Sequence, residues 1–100
     1  MSSKKLTNTQ KRFLKGLGHG LNPTILIGAN GVTDNLMLEL ESTLTHHELI
    51  KIKIASSDRE ERKRIIEHLI ENTGSQLIQT IGKTCIIFRQ NDESQFQLPK

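Results

Sequence analysis

The stretch Ile25-Leu26-Ile27-Gly28-Ala29-Asn30-Gly31-Val32-Thr33-Asp34 decides the fold of this 100-residue chain. Three apolar residues predict a short strand, the glycine pair predicts a loop, and Thr33-Asp34 is typical of a helix start. A strand that leads through a loop into a helix predicts a parallel sheet with crossover helices. The loop has no Cβ atom at either glycine, so it allows a close approach to another backbone. We also expect the free N–H groups and positive dipole end of the following helix to point at the same spot.

Upstream of this stretch, the spacing of Thr7 and Gln10 predicts a capping box and a first helix from about residue 7. One side of this helix is apolar, and the opposite side is basic, with Lys4, Lys11, Arg12 and Lys15. We expect three glycines to end the helix, namely Gly16, Gly18 and Gly20. Asn22-Pro23 then precedes a first strand over 24–27, whose composition predicts burial on both faces.

Downstream, a helix capped by Thr33 or Asp34 leads into a strand over 49–55. Isoleucines alternate there with Lys51 and Lys53, so one face of the strand is apolar and the other is basic. The second helix is therefore followed by a strand with only one face suited to the core.

A third helix begins near Ser57 and Glu60, which have capping-box spacing, and ends at Gly74. Its basic residues alternate with acids, which favours a solvated, salt-bridged surface. Two more strands, over 76–81 and 84–89, are joined by Gly82-Lys83, a pair that predicts a type II′ hairpin.

These elements predict an α/β protein with the order α-β-α-β-α-β-β. We expect one two-layer domain with a mixed four-stranded sheet and helices mainly on one face, because only one side of the second strand is apolar. The domain covers residues 1–100, with a core over about 6–89 and a loose tail over 90–100.

Charge is distributed unevenly along the chain. Residues 1–33 contain five basic side chains and no acid, whereas residues 34–100 contain nine basic and eleven acidic side chains. A basic segment beside a glycine loop predicts a polyanionic partner, above all RNA. The aromatic residues are only Phe13, Phe88 and Phe96, so we expect phosphate contacts and backbone donors rather than base stacking on aromatic rings.

Several other classes of function receive little support from the residues. Cys85 is the only cysteine, so neither an internal disulfide nor a cysteine metal cluster is expected. The histidines lack metal-ligand spacing, and no nucleophile motif is present, so we predict a binding protein without cofactor, metal or small-molecule substrate. No apolar stretch is long enough for a bilayer and no signal peptide precedes the domain, so we expect a cytoplasmic protein that does not bind membranes. His19, in the turn after the first helix, can contact a phosphate or simply pack against the domain, and we favour the phosphate contact.

The residues resemble the bacterial YhbY family, which consists of stand-alone CRM (chloroplast RNA splicing and ribosome maturation) domains. The matching segments run in order from about residue 6 to 89. They are Leu6-Thr7 with Gln10, 14–17, His19, Leu21 with Pro23, 28–33, 46–53, Asp58-Arg59, Gly74, 81–84 and Phe88-Arg89. Two positions depart from the family pattern: Gly18 stands where Ala is expected before histidine, and Phe88 stands where Tyr is usual.

The resemblance implies a fold like KH-type modules and the C-terminal domain of a translation initiation factor. It also implies binding of structured RNA, association with precursors of the large ribosomal subunit, and a role in their maturation. The RNA loop of the family falls on Gly28, Ala29, Asn30 and Gly31, and its basic surface falls on Lys11, Arg12, Lys15, Lys51 and Lys53.

Two other hypotheses remain open from the sequence. A protein-interaction module that docks on a ribosomal protein or an assembly factor predicts binding that tolerates salt and ribonuclease. A small enzyme acting on a phosphorylated metabolite predicts a deep pocket at the glycine loop.

Overall fold

The computed structural model of the chain describes residues 6–91 and 98–99. These residues form three helices and four strands: α1 (Asn8–His19), β1 (Ile25–Ile27), α2 (Asp34–His47), β2 (Leu49–Ile54), α3 (Arg59–Thr73), β3 (Gln76–Ile81) and β4 (Thr84–Phe88). The predicted α/β class and the predicted order of elements are confirmed. Within the described residues, no helix is long and apolar enough to cross a membrane.

The four strands form one mixed sheet in the order β1-β2-β4-β3. β1 pairs with β2 in parallel, and β4 pairs antiparallel with both β2 and β3. β1, β2 and β3 therefore point the same way, and their last residues lie along one edge of the sheet, which we call the carboxyl edge. This edge is where α/β sheets commonly bind their ligands.

Helices cover the two faces of the sheet unequally. α2 and α3 pack on the face that carries Ile50, Ile52 and Ile54, which we call the α2/α3 face. α1 packs on the opposite face, the α1 face, through Leu14 against Ile86 and Phe88. Helices thus lie mainly on one face, as predicted, but α1 adds a partial third layer in place of the expected two. The reason is β4, from Cys85 to Phe88, in which consecutive residues are buried and both faces are therefore apolar.

The α1 face is covered only in part. Leu26 of β1 has 62% of its surface exposed, which contradicts the prediction that β1 is buried on both sides. β1 is an edge strand, and α1 lies over β2 and β3 instead. On α1 itself Leu14 is fully buried, but Phe13 and Leu17 are 39% and 42% exposed, so the predicted apolar side is buried less widely than expected.

Most predicted helix and turn signals are present. Thr7 and Gln10 form the capping box of α1, and the Thr33 hydroxyl accepts from the Leu36 N–H at the start of α2. At α3 the prediction was wrong by one residue, because Asp58 rather than Ser57 is the N-cap. Gly82 has a positive φ of 55°, whereas φ of Lys83 is not positive. This is the combination that a type II′ turn requires at its two central residues.

The end of α1 differs from the prediction that three glycines terminate this helix. Only Gly20 caps α1, whereas Gly18 is buried within it. A Cβ at Gly18 would lie 2.6 Å from Ile86 Cδ1, so the missing side chain lets α1 approach β4 closely. Gly74 ends α3 in the left-handed conformation, as predicted.

The segment predicted as a loose tail is held at both of its described ends. The Asn91 N–H donates to Glu48 Oε2 at 2.8 Å. Leu98 packs against the α1-face cluster, and the Pro99 carbonyl accepts from Gln10 Nε2 at 3.0 Å. Residues 92–97 and 100, also assigned to that tail, lie outside the described residues.

Candidate nucleic-acid interface

Three loops meet at the carboxyl edge. The Gly28–Gly31 loop follows β1, the segment 55–58 follows β2, and the Gly82-Lys83 turn follows β3. The Ala55 N–H donates to the Ile27 carbonyl at 2.9 Å, and the Ile54 N–H donates to the Lys83 carbonyl at 2.7 Å. The glycine loop and Lys83 therefore flank β2, about two strand spacings or ~10 Å apart.

The glycine loop is a hydrogen-bonded turn whose tip is accessible to solvent. The Gly31 N–H donates to the Gly28 carbonyl at 3.0 Å, and Gly31 has φ 70°, a conformation that suits glycine. A Cβ added at Gly28 would contact nothing within 4 Å. Ala29 and Asn30 are exposed, and no hydrogen bond within the described part of the chain occupies their N–H groups. The tip of the loop thus offers two backbone donors to an incoming acceptor.

A groove of about 380 Å³ lies beside this loop, and we call it the glycine-loop groove. Its other wall comes from the segment after β2 and from α3, with Ser56, Ser57, Glu61 and Ile65 among its residues. The serine hydroxyls can donate to phosphate oxygens, whereas the Glu61 carboxylate repels them. A phosphate is therefore favoured on the Gly28–Ala29 side of the groove.

The helix N-termini at this edge are less available to an anion than the sequence suggested. The Thr33 hydroxyl already accepts from the first turn of α2, and Asp34 lies in that turn. In α3 the N-cap Asp58 accepts from the Glu60 N–H, with Glu60 and Glu61 in the first turn. These acidic side chains compensate the positive dipole ends, so an anion at this edge depends mainly on the loop N–H groups and on cationic side chains.

The predicted basic residues of α1 belong to the α1 face, because α1 packs there against β2, β3 and β4. Lys11, Lys15 and His19 are four residues apart and share one side of the helix. His19 Nε2 lies 3.0 Å from Gln79 Oε1, so this side is turned towards β3. Arg12 and Lys15 are exposed, and Lys11 is half-buried.

Lys51 and Lys53 lie on the α1 face of β2, because the alternating isoleucines belong to the opposite core. Lys51 is half-buried and lines a groove beside Leu17, whereas Lys53 is exposed next to Leu26. The predicted site residues thus form two groups: the loop 28–31 at the carboxyl edge, and the cations of the α1 face. Within β2, Lys53 stands one residue before the last residue of the strand, so it is closer along the chain to the carboxyl edge than Lys51 is.

The structure adds cations that sequence reasoning missed. Lys83 reaches the carboxyl edge only because β4 lies next to β2, a neighbour relation that the order of elements does not reveal. In α3, Arg59, Arg62 and Lys63 line a groove against β3. The expected salt bridges of α3 are not formed: among the described residues the one ion pair joins Arg89 to Glu41. The dense run of basic residues in 59–64 could have indicated this cationic groove. The acidic residues between them favoured the interpretation of a salt-bridged surface instead.

Reactive and metal-binding chemistry receives no support from the described residues. They contain no group of three or more His, Cys, Asp or Glu side chains arranged to hold a metal ion. Burial raises the pKa of the Cys85 thiol to about 12. The thiol therefore stays protonated at neutral pH and behaves as a small core residue.

Comparison with known proteins places this geometry in a family. The CRS1 / YhbY (CRM) domain matches residues 6–89. A protein of Haemophilus influenzae named "RNA-binding protein" is 44% identical over 95% of this chain and 96% of its own length. The Bacillus subtilis "Probable RNA-binding protein YqeI" is 37% identical over 94% of this chain and 99% of its own length. These names indicate RNA-binding proteins rather than enzymes.

The fold has a counterpart among solved structures. The solution structure of a hypothetical protein from Staphylococcus aureus superimposes with a TM-score of 0.80, at 34% identity, over 95% of this chain and 100% of that one. The family match covers all seven secondary-structure elements and the glycine loop. The chain belongs to the CRS1 / YhbY family of CRM domains.

Proposed function

We propose that this chain is a non-catalytic, cytoplasmic RNA-binding protein that binds structured precursor RNA of the large ribosomal subunit and assists its maturation. The names of its relatives supply the class of partner. The ribosomal target comes from the family resemblance and is the finer part of the proposal. Ribosomal proteins that neighbour this RNA are proposed as further partners.

The observation that carries the proposal is the open tip of the Gly28–Gly31 loop. Ala29 and Asn30 present free N–H groups on an exposed turn, and Gly28 has open space where a side chain would be. A phosphodiester backbone can therefore approach the loop and accept hydrogen bonds from it, with Lys53 near the end of β2 and Lys83 on the opposite flank of that strand.

The cations of the α1 face provide a second contact in this proposal. Lys11, Arg12 and Lys15 with Lys51 and Lys53 can neutralise phosphates of an RNA that extends over this face. Each neutralised phosphate releases counterions, so each contact steepens the dependence of log K on log salt by about 0.7–0.9. His19 adds a ring nitrogen that can hydrogen-bond a phosphate in the same area, once its contact with Gln79 opens.

The test is a binding titration with structured fragments of large-subunit ribosomal RNA over a series of salt concentrations. We compare the wild type with Gly28→Asp, which adds a negative charge at an open position without positive φ. We expect Gly28→Asp to weaken binding about tenfold or more, since it places a carboxylate beside the phosphate site. Lys15→Gln should reduce the salt slope by about 0.7–0.9.

Ser42→Asp provides the matched control for added charge. Ser42 is exposed on α2, about 12 Å along the helix from Asp34. Normal binding by Gly28→Asp, or equal loss in both variants, removes the loop from the proposal. Absence of RNA binding by the folded wild type rejects the function as a whole. Co-sedimentation of the chain with precursors of the large subunit tests the ribosomal part separately.

A protein-docking function is the second candidate, and one observation favours it. A groove of about 470 Å³ on the α1 face is lined by Leu17, Leu21 and Lys51, next to the exposed ring of Phe13. Apolar surface of this kind is typical of protein contacts. Association with large-subunit precursors that survives ribonuclease and high salt, but is lost in Leu17→Asp, would favour this function over RNA binding.

A further inference from the structure

A second groove lies on the other flank of α3, between this helix and β3. Its volume is about 470 Å³, and Ile66, Ile70 and Leu77 form an apolar floor. Leu77 is 40% exposed, and the core cluster that contains the buried residues of α3 includes residues of β1, β2 and β4 but none of β3. We call this the α3/β3 groove. Its size is within the range of small-ligand sites.

The rim of the α3/β3 groove is cationic. Arg59, Arg62 and Lys63 line the groove from the first half of α3, and Glu67 is its one acidic lining residue. No ion pair neutralises Arg59 or Lys63 within the described residues. An apolar floor beside unpaired cations matches a ligand that combines a flat, weakly polar part with an anion. A nucleotide has this composition in its base and its phosphate.

One hydrogen bond joins the α3/β3 groove to the glycine-loop groove. Arg62 Nη1 donates to the Ser56 carbonyl at 2.8 Å. Ser56 lines the glycine-loop groove, and Arg62 lines the α3/β3 groove. The two grooves are therefore neighbours across the start of α3. A chain bound at the glycine loop can pass over this contact into the second groove.

We propose that the α3/β3 groove binds an unpaired nucleotide of the RNA that the glycine loop holds. The base packs on Ile70 and Leu77, and the flanking phosphates meet Arg59 and Lys63. A base inside a duplex is stacked and paired, so it cannot enter this groove without being flipped out. The inference rests on the proposed function and narrows its substrate to structured RNA with unpaired nucleotides beside a stem.

The test compares two RNAs: a fully paired hairpin stem, and the same stem with a three-nucleotide bulge. We expect the wild type to bind the bulged RNA about five- to tenfold more tightly, the ratio expected when one base is buried on apolar side chains. Leu77→Ser should abolish this preference and leave binding to the paired stem unchanged. Leu38→Ser is the matched control, because Leu38 is 69% exposed on α2 and lines neither groove.

A salt series on the same RNAs tests the cationic rim. Lys63→Gln should reduce the salt slope by about 0.7 on the bulged RNA and leave the slope on the paired stem unchanged. Arg64→Gln, which removes an exposed charge that lines neither groove, should reduce neither slope.

The outcomes separate the two proposals. A wild type that binds both RNAs equally, or a preference that survives Leu77→Ser, overturns the groove assignment and leaves RNA binding intact. A wild type that binds neither RNA overturns both. Equal binding of the RNAs combined with capture of an acidic peptide by the groove would assign it to a protein partner instead.

Discussion

The two faces of the sheet differ in how many apolar residues they bury. Within the described residues the α2/α3 face buries eleven residues in one cluster, whereas the α1 face buries six. The larger cluster joins all of the strands except β3 to two helices. The smaller cluster holds α1 and leaves Leu26, Lys51 and Lys53 at least partly accessible. The difference indicates that the α2/α3 face provides most of the core, while the α1 face leaves more of its strand residues accessible.

The largest expected effect comes from a cavity in the larger cluster. Ile52 is fully buried there, and Ile52→Ala should lower the free energy of unfolding by about 3–5 kcal/mol. Leu14→Ala creates a cavity at an equally buried position on the α1 face. We expect the free energy of unfolding to fall by about 2–3 kcal/mol, because a single helix can shift to fill part of the cavity. Urea denaturation with a constant m-value measures both. A larger loss for Leu14→Ala would contradict the proposed division of stability.

A smaller effect is expected where α1 approaches β4. Gly18→Ala places a Cβ within 2.6 Å of Ile86 Cδ1, whereas Gly16→Ala meets nothing within 4 Å. Gly16→Ala should stabilise the protein by about 0.5–1 kcal/mol, and Gly18→Ala should be less stable than Gly16→Ala by about 1–3 kcal/mol. Ile86→Val removes the nearest methyl group and should recover part of the loss. Equal stability of the two alanine variants would mean that the close contact carries no packing constraint.

The next effect concerns the end of β4 on the α2/α3 side. Arg89 donates to both Glu41 carboxylate oxygens at 2.9 and 3.0 Å and to the Thr73 carbonyl at 3.0 Å. This side chain therefore ties α2 and the last turn of α3 to the sheet. Arg89→Gln should cost about 1–2 kcal/mol, because these bonds involve charged groups but are partly exposed. Arg64→Gln should stay within about 0.5 kcal/mol of the wild type by thermal unfolding. A match between the two variants would show that the Arg89 contacts add little.

The smallest effect at neutral pH is expected from Cys85→Ala, at about 1 kcal/mol. Burial raises the folded-state pKa of this thiol to about 12, whereas an unfolded chain has its ordinary pKa of about 8.5. The raised pKa stabilises the fold below pH 8.5, and this contribution is lost as pH rises towards 12. Wild-type stability should therefore decline more steeply than that of Cys85→Ala above about pH 9. Parallel stability curves would show that the thiol does not ionise on unfolding in this range.

Local signals predicted the helices and turns well, because they act over three or four residues. The Thr7–Gln10 capping box, the left-handed Gly74 and the type II′ turn at Gly82 are each decided by neighbours in sequence. The N-cap of α3 moved from Ser57 to Asp58, since both side chains can accept from the first turn. Boundaries of this kind are set by small local differences.

The layer arrangement could not be predicted from one strand. The alternation of lysine and isoleucine in β2 indicated a single apolar face, but the uninterrupted apolar run from Cys85 to Phe88 needed cover on both sides. Exposure of Leu26 followed from the same fact, because α1 packs beside β1 rather than over it. The alternation of polar and apolar residues in one strand indicates which of its own faces is buried. It does not indicate where a helix distant in sequence packs.

The sequence alone determined the order of the secondary-structure elements, the family and the position of the glycine loop, because these depend on residue type and short spacing. Only the tertiary structure decided that the loop 28–31 and Lys83 share the carboxyl edge. It also decided that Lys11 and Lys15 belong to the α1 face. The α3/β3 groove likewise depends on the strand order, because β4 lies between β2 and β3 and places β3 at the edge of the sheet. The physical reason is that strand order is set by burial of both apolar faces of β4, a long-range requirement that no local pattern records.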